Sequence, residues 1–239
     1  MKKTLDVTLL QLDNLRPYRR NLEKILAALE EETSDLILAP EVCLTDYDYE
    51  HLEEAVAFGE EAEALLLEAV GEKILAFTRL VKRDAGYVNE AIVLHSHRVV
   101  HRQAKHRLFP LGEEERYLIP GALEEIRPFE IGGVRYGLLI CFELRFKELW
   151  RRLEGCDVIL VPAQWGLPRK RHLEILARAL GVMNQCYVLV ANSAREDMAR
   201  SSLVASPDGG LILEDMAERI RGDLDLRNVR LLRRYLKVY

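Results

Sequence analysis

Three residues of unlike chemistry stand at the ends of apolar or basic runs in this 239-residue chain, and together they are equipped for acyl chemistry. Cys141 follows Gly137-Leu138-Leu139-Ile140 and precedes Phe142-Glu143-Leu144-Arg145-Phe146. A thiol at the exit of a buried strand, beside charged residues, sits where the local field stabilises a thiolate, and the next backbone N–H is free to bind an oxyanion. The competing reading is a packed core cysteine, the commoner fate of that residue. Glu41 comes directly after Leu36-Ile37-Leu38-Ala39-Pro40, where proline keeps the chain extended and projects the next side chain from the strand end. Its alternative is a solvated strand-end carboxylate. Lys105 lies in a stretch rich in His and Arg that ends at Leu108-Phe109-Pro110, and the plain reading there is a basic, solvated loop. Cysteine attack on a carbonyl needs a base for the thiol proton and a donor for the oxyanion. No histidine adjoins Cys141, but a glutamate and a lysine can meet both needs, one as base and the other as a fixed positive charge.

Other chemistries find less support. His95 and His97 alternate on an expected strand with His101 close behind, yet a metal needs further ligands at suitable geometry. They are read as solvated histidines at a hairpin end, and His51 and His172 as surface residues. No glycine-rich phosphate loop, dinucleotide fingerprint, GxSxG elbow or HExxH helix occurs. Neither a cofactor nor a metal is expected. Cys43, Cys156 and Cys186 lack the setting of Cys141 and are read as structural. With no CxxC and four widely spaced cysteines, the chain suits a reducing cytoplasm better than a disulfide framework.

The elements that must position these residues can be read from periodicity. Strands are expected at Leu5 to Leu12, Leu36 to Leu38, Ile74 to Phe77, Val88 to Leu94, Val134 to Ile140, Val158 to Val161 and Val188 to Val190. Helices are expected at Tyr18 to Glu31, Ala55 to Val70 and Arg169 to Gln185, the last with Leu173, Leu176, Leu180 and Met183 on one face. Leu203 to Ala205 and Leu211 to Leu213 flank Ser206-Pro207-Asp208-Gly209-Gly210, a hairpin turn by composition. Strands interleaved with helices mean an α/β layered fold, here one domain over residues 1–239. Whether it has one sheet or two is not legible from periodicity. A net charge of −5 argues against nucleic acid, and no run of roughly 18 apolar residues exists to span a membrane. Beyond Met1-Lys2-Lys3 the chain is soon interrupted by Asp6, Gln11 and Asp13, so no signal peptide is expected.

Taken jointly, the motifs resemble the nitrilase, or carbon–nitrogen hydrolase, superfamily. The resemblance rests on Pro40-Glu41 with Thr45-Asp46-Tyr47, on Lys105 before Leu108-Phe109-Pro110, and on Cys141-Phe142-Glu143-Leu144-Arg145-Phe146. It extends to Asn21-Leu22, Pro120-Gly121, Pro162-Ala163-Gln164-Trp165, Ala177-Arg178-Ala179, Asn184-Gln185-Cys186-Tyr187 and Ser202 upstream of Pro207-Asp208-Gly209. It implies a four-layer αββα sandwich, usually dimeric, with Glu41 as general base and Cys141 as the nucleophile that forms a thioester. Lys105 and the N–H of Phe142 would stabilise the tetrahedral intermediate. A second, supporting glutamate is implied among Glu113, Glu114 and Glu115, and spacing to Pro120 favours Glu114.

The chain departs from the family pattern where Asp46 stands for Gly, Arg107 for His, Phe142 for Tyr, Glu143 for Asp, Lys147 for Pro and Met183 for Glu. None of these removes a triad member. Compactness and the Cys-x-x-Leu-Arg-Phe and Asn-Gln-Cys-Tyr patterns resemble small-amide hydrolases of the ω-amidase type, which cleave monoamides of short dicarboxylic acids. Two alternatives are an N-carbamoyl amine hydrolase and a catalytically silent scaffold relative. Tyr47, Phe142, Arg145 and Trp165 are candidate pocket residues, against core packing for Trp165 and a structural ion pair for Arg145. A homodimer is expected, with apolar faces on the third helix, on Phe146 to Leu153 and along Val229 to Tyr239 to support it.

Overall fold

Alternation of side chains along the strands decides the architecture of the computed structural model, which describes residues 3–238. Met1 and Lys2 of the N-terminal basic stretch and Tyr239 of the C-terminal one lie outside the described residues. The first half runs β1 (Thr4–Leu10), α1 (Tyr18–Glu31), β2 (Leu36–Leu38), α2 (Leu52–Ala69), β3 (Ile74–Arg83), β4 (Gly86–His95) and β5 (Arg98–Ala104). Leu36, Leu38, Ile74, Ala76, Ala91 and Val93 point into one core. Their neighbours Ile37, Leu75, Phe77, Ile92 and Leu94 point into another, against Leu22 and Ile25 of α1 and Ala62 and Leu66 of α2. A strand whose every residue is apolar can be buried on both faces only if something covers each one. Here α1 and α2 cover the outer face.

The second half covers the inner face. It runs β6 (Phe129–Ile131), β7 (Val134–Leu138), α3 (Lys147–Arg152), β8 (Val158–Ala163), α4 (Lys170–Met183), β9 (Tyr187–Asn192), β10 (Ser202–Ala205) and β11 (Leu211–Glu214). After these, β12 (Arg219–Asp225) returns to the first sheet and α5 (Leu226–Tyr235) comes last. The strand orders are β12-β1-β2-β3-β4-β5 and β11-β10-β9-β8-β7-β6. The sheets pack face to face, β1 and β2 against β9 and β3 against β8, while α4 lies on β9 and β10. The result is the αββα sandwich.

Parallel pairing joins β1, β2 and β3 in one sheet and β7, β8 and β9 in the other, with antiparallel strands at the flanks. Glu41 follows β2, Lys105 follows β5, Cys141 follows β7 and Gln164 follows β8. They gather because the carboxyl ends of parallel strands open one crevice.

Three strands go beyond the periodicity reading: β5, β6 and β12, each of which forms an edge of its sheet. His101, read as solvated, is buried in β5 and stacks on Phe129 with ring centroids 4.5 Å apart. Its strand continues past the hairpin instead of ending there. Met183, read as part of the buried face of the third helix, is 68% exposed; α4 buries Leu173, Ala177 and Gly181. In α5, Leu226 and Val229 are buried, whereas Leu231 and Tyr235 are exposed, as is Val238 beyond the helix. Arg233 anchors that helix by donating to the carbonyls of Cys156 and Gln185 and pairing with Asp157 at 3.0 Å. Among the described residues, no helix is long and apolar enough to cross a membrane.

Candidate active site

Cys141 occupies a left-handed backbone conformation, φ 48°, at the turn from β7 into a short 3-10 segment, Cys141–Arg145. A non-glycine residue there is strained and needs neighbours to hold it. Glu143 supplies that hold. Its buried carboxylate accepts the N–H of Ile140 at 2.7 Å on one oxygen and the N–H of His106 at 2.7 Å on the other. One side chain therefore staples the cysteine turn to the residue next to Lys105. Burial pushes the Glu143 carboxyl up to about 7, although the Ile140 and His106 N–H groups pull the other way.

Lys105 is not a solvated basic loop residue. Its side chain is fully buried, with Nζ 2.7 Å from Glu41 Oε1 and 2.7 Å from Glu114 Oε1. Burial alone would favour the neutral amine, but the two carboxylates outweigh it and hold the ammonium protonated. The backbone around Lys105 is fixed by Lys105 N–H to Asn89 O and Gly121 N–H to Lys105 O, each 2.8 Å. At Gly121 an added Cβ would lie 2.4 Å from Ala104 O, so only glycine allows this approach.

Glu41 is also satisfied on both oxygens. Oε1 accepts from the Tyr47 hydroxyl at 2.6 Å, Asn89 Nδ2 at 2.9 Å and Lys105, while Oε2 accepts the N–H of Gln164 at 3.0 Å. Buried ions persist when their remaining lone pairs are filled in this way. Among the three consecutive glutamates, Glu114 is the buried one; its second oxygen accepts the N–H of Phe109 at 2.9 Å. Burial raises its carboxyl above the usual range, and the Glu41 charge adds to this against Lys105. Glu113 instead pairs with Arg116, and Glu115 is exposed.

Cys141 lines a cleft of about 510 Å³ together with Glu41, Glu114, Tyr47 and Gln164. Burial, then the Glu41 charge, raises its thiol well above the ordinary value, while Lys105 and the Gln164 N–H act in the opposite sense. A second lobe of about 240 Å³ adjoins it, lined by Phe109, Phe142, Arg145, Trp165 and Arg169. Arg145 stacks over Trp165 at 4.7 Å and Arg169 over Phe109 at 5.0 Å. Neither guanidinium has a carboxylate within ion-pair distance among the described residues, so the structural ion pair weighed for Arg145 does not form. Its Nη2 lies 3.2 Å from His172 Nδ1. Trp165 packs in the core and borders the lobe at once, donating its ring N–H to Arg169 O. Glu113 and Glu115 thus stay outside, while Glu41, Lys105, Cys141, Glu114, Tyr47, Phe142, Arg145 and Trp165 reach one cleft or the ion group beneath it. Asn89, Gln164 and Arg169 join them without being site candidates by sequence. Asn89 has a signal there, since an amide inside the apolar run of β4 needs a polar partner.

Residues 7–234 match the family model described as carbon–nitrogen hydrolase. The chain belongs to that family. Among its relatives is a 2-oxoglutaramate amidase of Bacillus subtilis, 29% identical over 92% of this chain and 90% of the relative. An Escherichia coli ω-amidase, YafV, is 28% identical over 91% and 85%. In structure, this hydrolase resembles a CN-hydrolase superfamily protein of Xanthomonas campestris, with a TM-score of 0.86, 19% identity and 98% and 96% coverage. It also resembles Saccharomyces cerevisiae Nit3, at TM-score 0.82, 20% identity and 100% and 96% coverage.

Proposed function

We propose that this carbon–nitrogen hydrolase is a cysteine amidase that releases ammonia from a small linear amide through a thioester. The observation that carries the reading is the buried Glu41–Lys105–Glu114 ion group, which opens onto the same cleft as Cys141. In this mechanism Cys141 Sγ attacks the amide carbon as Glu41 takes the thiol proton. The carbonyl π electrons move onto oxygen, and Lys105 Nζ and the Phe142 N–H receive the oxyanion. As the tetrahedral carbon collapses, the C–N bond breaks and the Glu41 proton leaves with ammonia. Water then gives a proton to Glu41 and attacks the thioester. The C–S bond breaks, the acid departs, and the proton returns to sulfur. Glu114 keeps Lys105 charged and in place throughout.

The acyl group is read as one with an anionic far end. Arg145 and Arg169 border the cleft beside Cys141 without a carboxylate partner among the described residues, which suits a monoamide of a short dicarboxylic acid. The names of the B. subtilis and E. coli relatives agree with that class. The test is ammonia release over a panel of dicarboxylic monoamides, aliphatic amides, N-carbamoyl amines and nitriles, with wild type and Cys141→Ala side by side. Release is expected from the monoamides and is expected to vanish in the variant. Equal release by both proteins would remove Cys141 from the mechanism, and a preference for N-carbamoyl amines would replace the substrate class.

A further inference from the structure

Asp46 stands where the family commonly has glycine, and its surroundings give it a job. Its backbone is left-handed, φ 55°, a conformation that glycine, asparagine and aspartate tolerate best. The side chain then reaches two partners with one oxygen: Oδ1 accepts the N–H of Tyr47 at 2.8 Å and the side-chain amide of Gln164 at 2.8 Å. Both partners are donors to Glu41, on different oxygens. The Tyr47 hydroxyl binds Oε1 at 2.6 Å and the Gln164 N–H binds Oε2 at 3.0 Å, while the Gln164 amide also holds the Glu41 carbonyl at 3.0 Å. The other oxygen of Asp46 pairs with Arg195, which is itself braced by Asp197 at 2.7 Å. This pairing neutralises the Asp46 carboxylate next to the Glu41–Lys105–Glu114 group.

We infer that Asp46 is a positioning residue for the general base: by orienting Tyr47 and Gln164 it fixes both oxygens of Glu41 relative to Cys141. The inference rests on the reading of Glu41 as base. Arg195 comes from the segment between β9 and β10 that also carries Met198 into the cleft wall, so the same contact ties that wall to the base. A proton acceptor that must meet the thiol within hydrogen-bond reach loses rate steeply when its orientation relaxes.

Two substitutions separate side chain from backbone. Asp46→Gly keeps the left-handed turn and removes the acceptor; Asp46→Asn keeps both the turn and Oδ1 and removes the charge together with the acceptor that Oδ2 offers Arg195. Each is assayed by steady-state ammonia release from the best amide of the panel and by the rate of iodoacetamide alkylation of Cys141, which needs no knowledge of the substrate. For Asp46→Gly we expect kcat and alkylation to fall about 10- to 100-fold with KM changed less than about 2-fold, and for Asp46→Asn recovery of most of the loss. Melting temperatures identify any variant that fails to fold. If Asp46→Gly does not fold, Gln164→Ala takes its place with the same expectation. The inference is overturned if the folded variant keeps wild-type kcat, if the loss lies in KM alone, or if Asp46→Asn recovers nothing. Glu41→Gln run alongside tells the two failures apart. An active Glu41→Gln removes the base itself, whereas an inactive one beside a fully active Asp46→Gly removes only the role of Asp46.

Discussion

At the scale of single residues, the site depends on ions withdrawn from bulk solvent at the floor of the cleft. Lys105 is the clearest case, because a buried ammonium between two carboxylates is stable only as a set; loss of Lys105 would leave two uncompensated charges. Glu143 poses a different balance, one carboxylate facing three backbone N–H groups with no counter-ion in contact among the described residues. Its carboxyl, raised by burial from the ordinary 4.5 to about 7, binds its proton more tightly in the folded chain than in the unfolded one. The stability it contributes is therefore full below about pH 4.5 and lost as pH rises through about 7. Between pH 5 and 8, the unfolding free energy of wild type should fall relative to Glu143→Gln by on the order of 3 kcal/mol. Denaturant titrations across that range check the slope, and parallel curves for the two proteins would contradict it. In the sequence Glu143 is visible only as a departure from aspartate. Its two-loop contact is not legible there, because the partners lie 37 residues apart in the chain.

At the scale of elements, the strands that are legible are those buried on both faces. Val158–Ala163 and Tyr187–Asn192 are buried throughout, and their apolar runs read as strands without ambiguity. In contrast, β5 mixes Arg, His and Gln with two valines, and β12 sets Ile220 and Leu224 among charges, because each lies at an edge and meets solvent. The connections that carry the catalytic candidates are likewise set by contacts rather than propensity. The Pro120-Gly121 landmark has a steric cause, the approach of Gly121 to Ala104 that lets its N–H reach the Lys105 carbonyl. Gly121→Ala would force that backbone apart and is expected to cost about 1–3 kcal/mol of stability and to lower kcat. Chemical denaturation and the amidase assay check both effects; an unchanged kcat would separate the Gly121 contact from the site.

At the scale of the whole molecule, the two sheets make four cysteines into two kinds. All four are free thiols, and Cys43, Cys156 and Cys186 lie at 0–1% exposure in the interior. Burial raises the thiols of Cys43, Cys156 and Cys186 as it raises that of Cys141, so access to the cleft and not acidity separates the two kinds. Cys141 alone among them borders the cleft. Alkylation of the native protein is expected to label one thiol, at Cys141, and denaturation to release the other three to reagent; peptide mass mapping counts them. A disulfide after mild peroxide would favour redox chemistry instead. Local periodicity is enough to reach the α/β class, and the resemblance of the motifs to the family is what implies the triad candidates. Spacing to Pro120 favours Glu114 among three adjacent glutamates without deciding between them. Folding in three dimensions adds that Lys105 is buried, that Glu114 and not its neighbours meets it, and that Asp46, Asn89 and Gln164 surround Glu41. Those facts depend on how two sheets from opposite halves of the chain stack and bring their strand ends to one cleft, a long-range arrangement that no local pattern encodes.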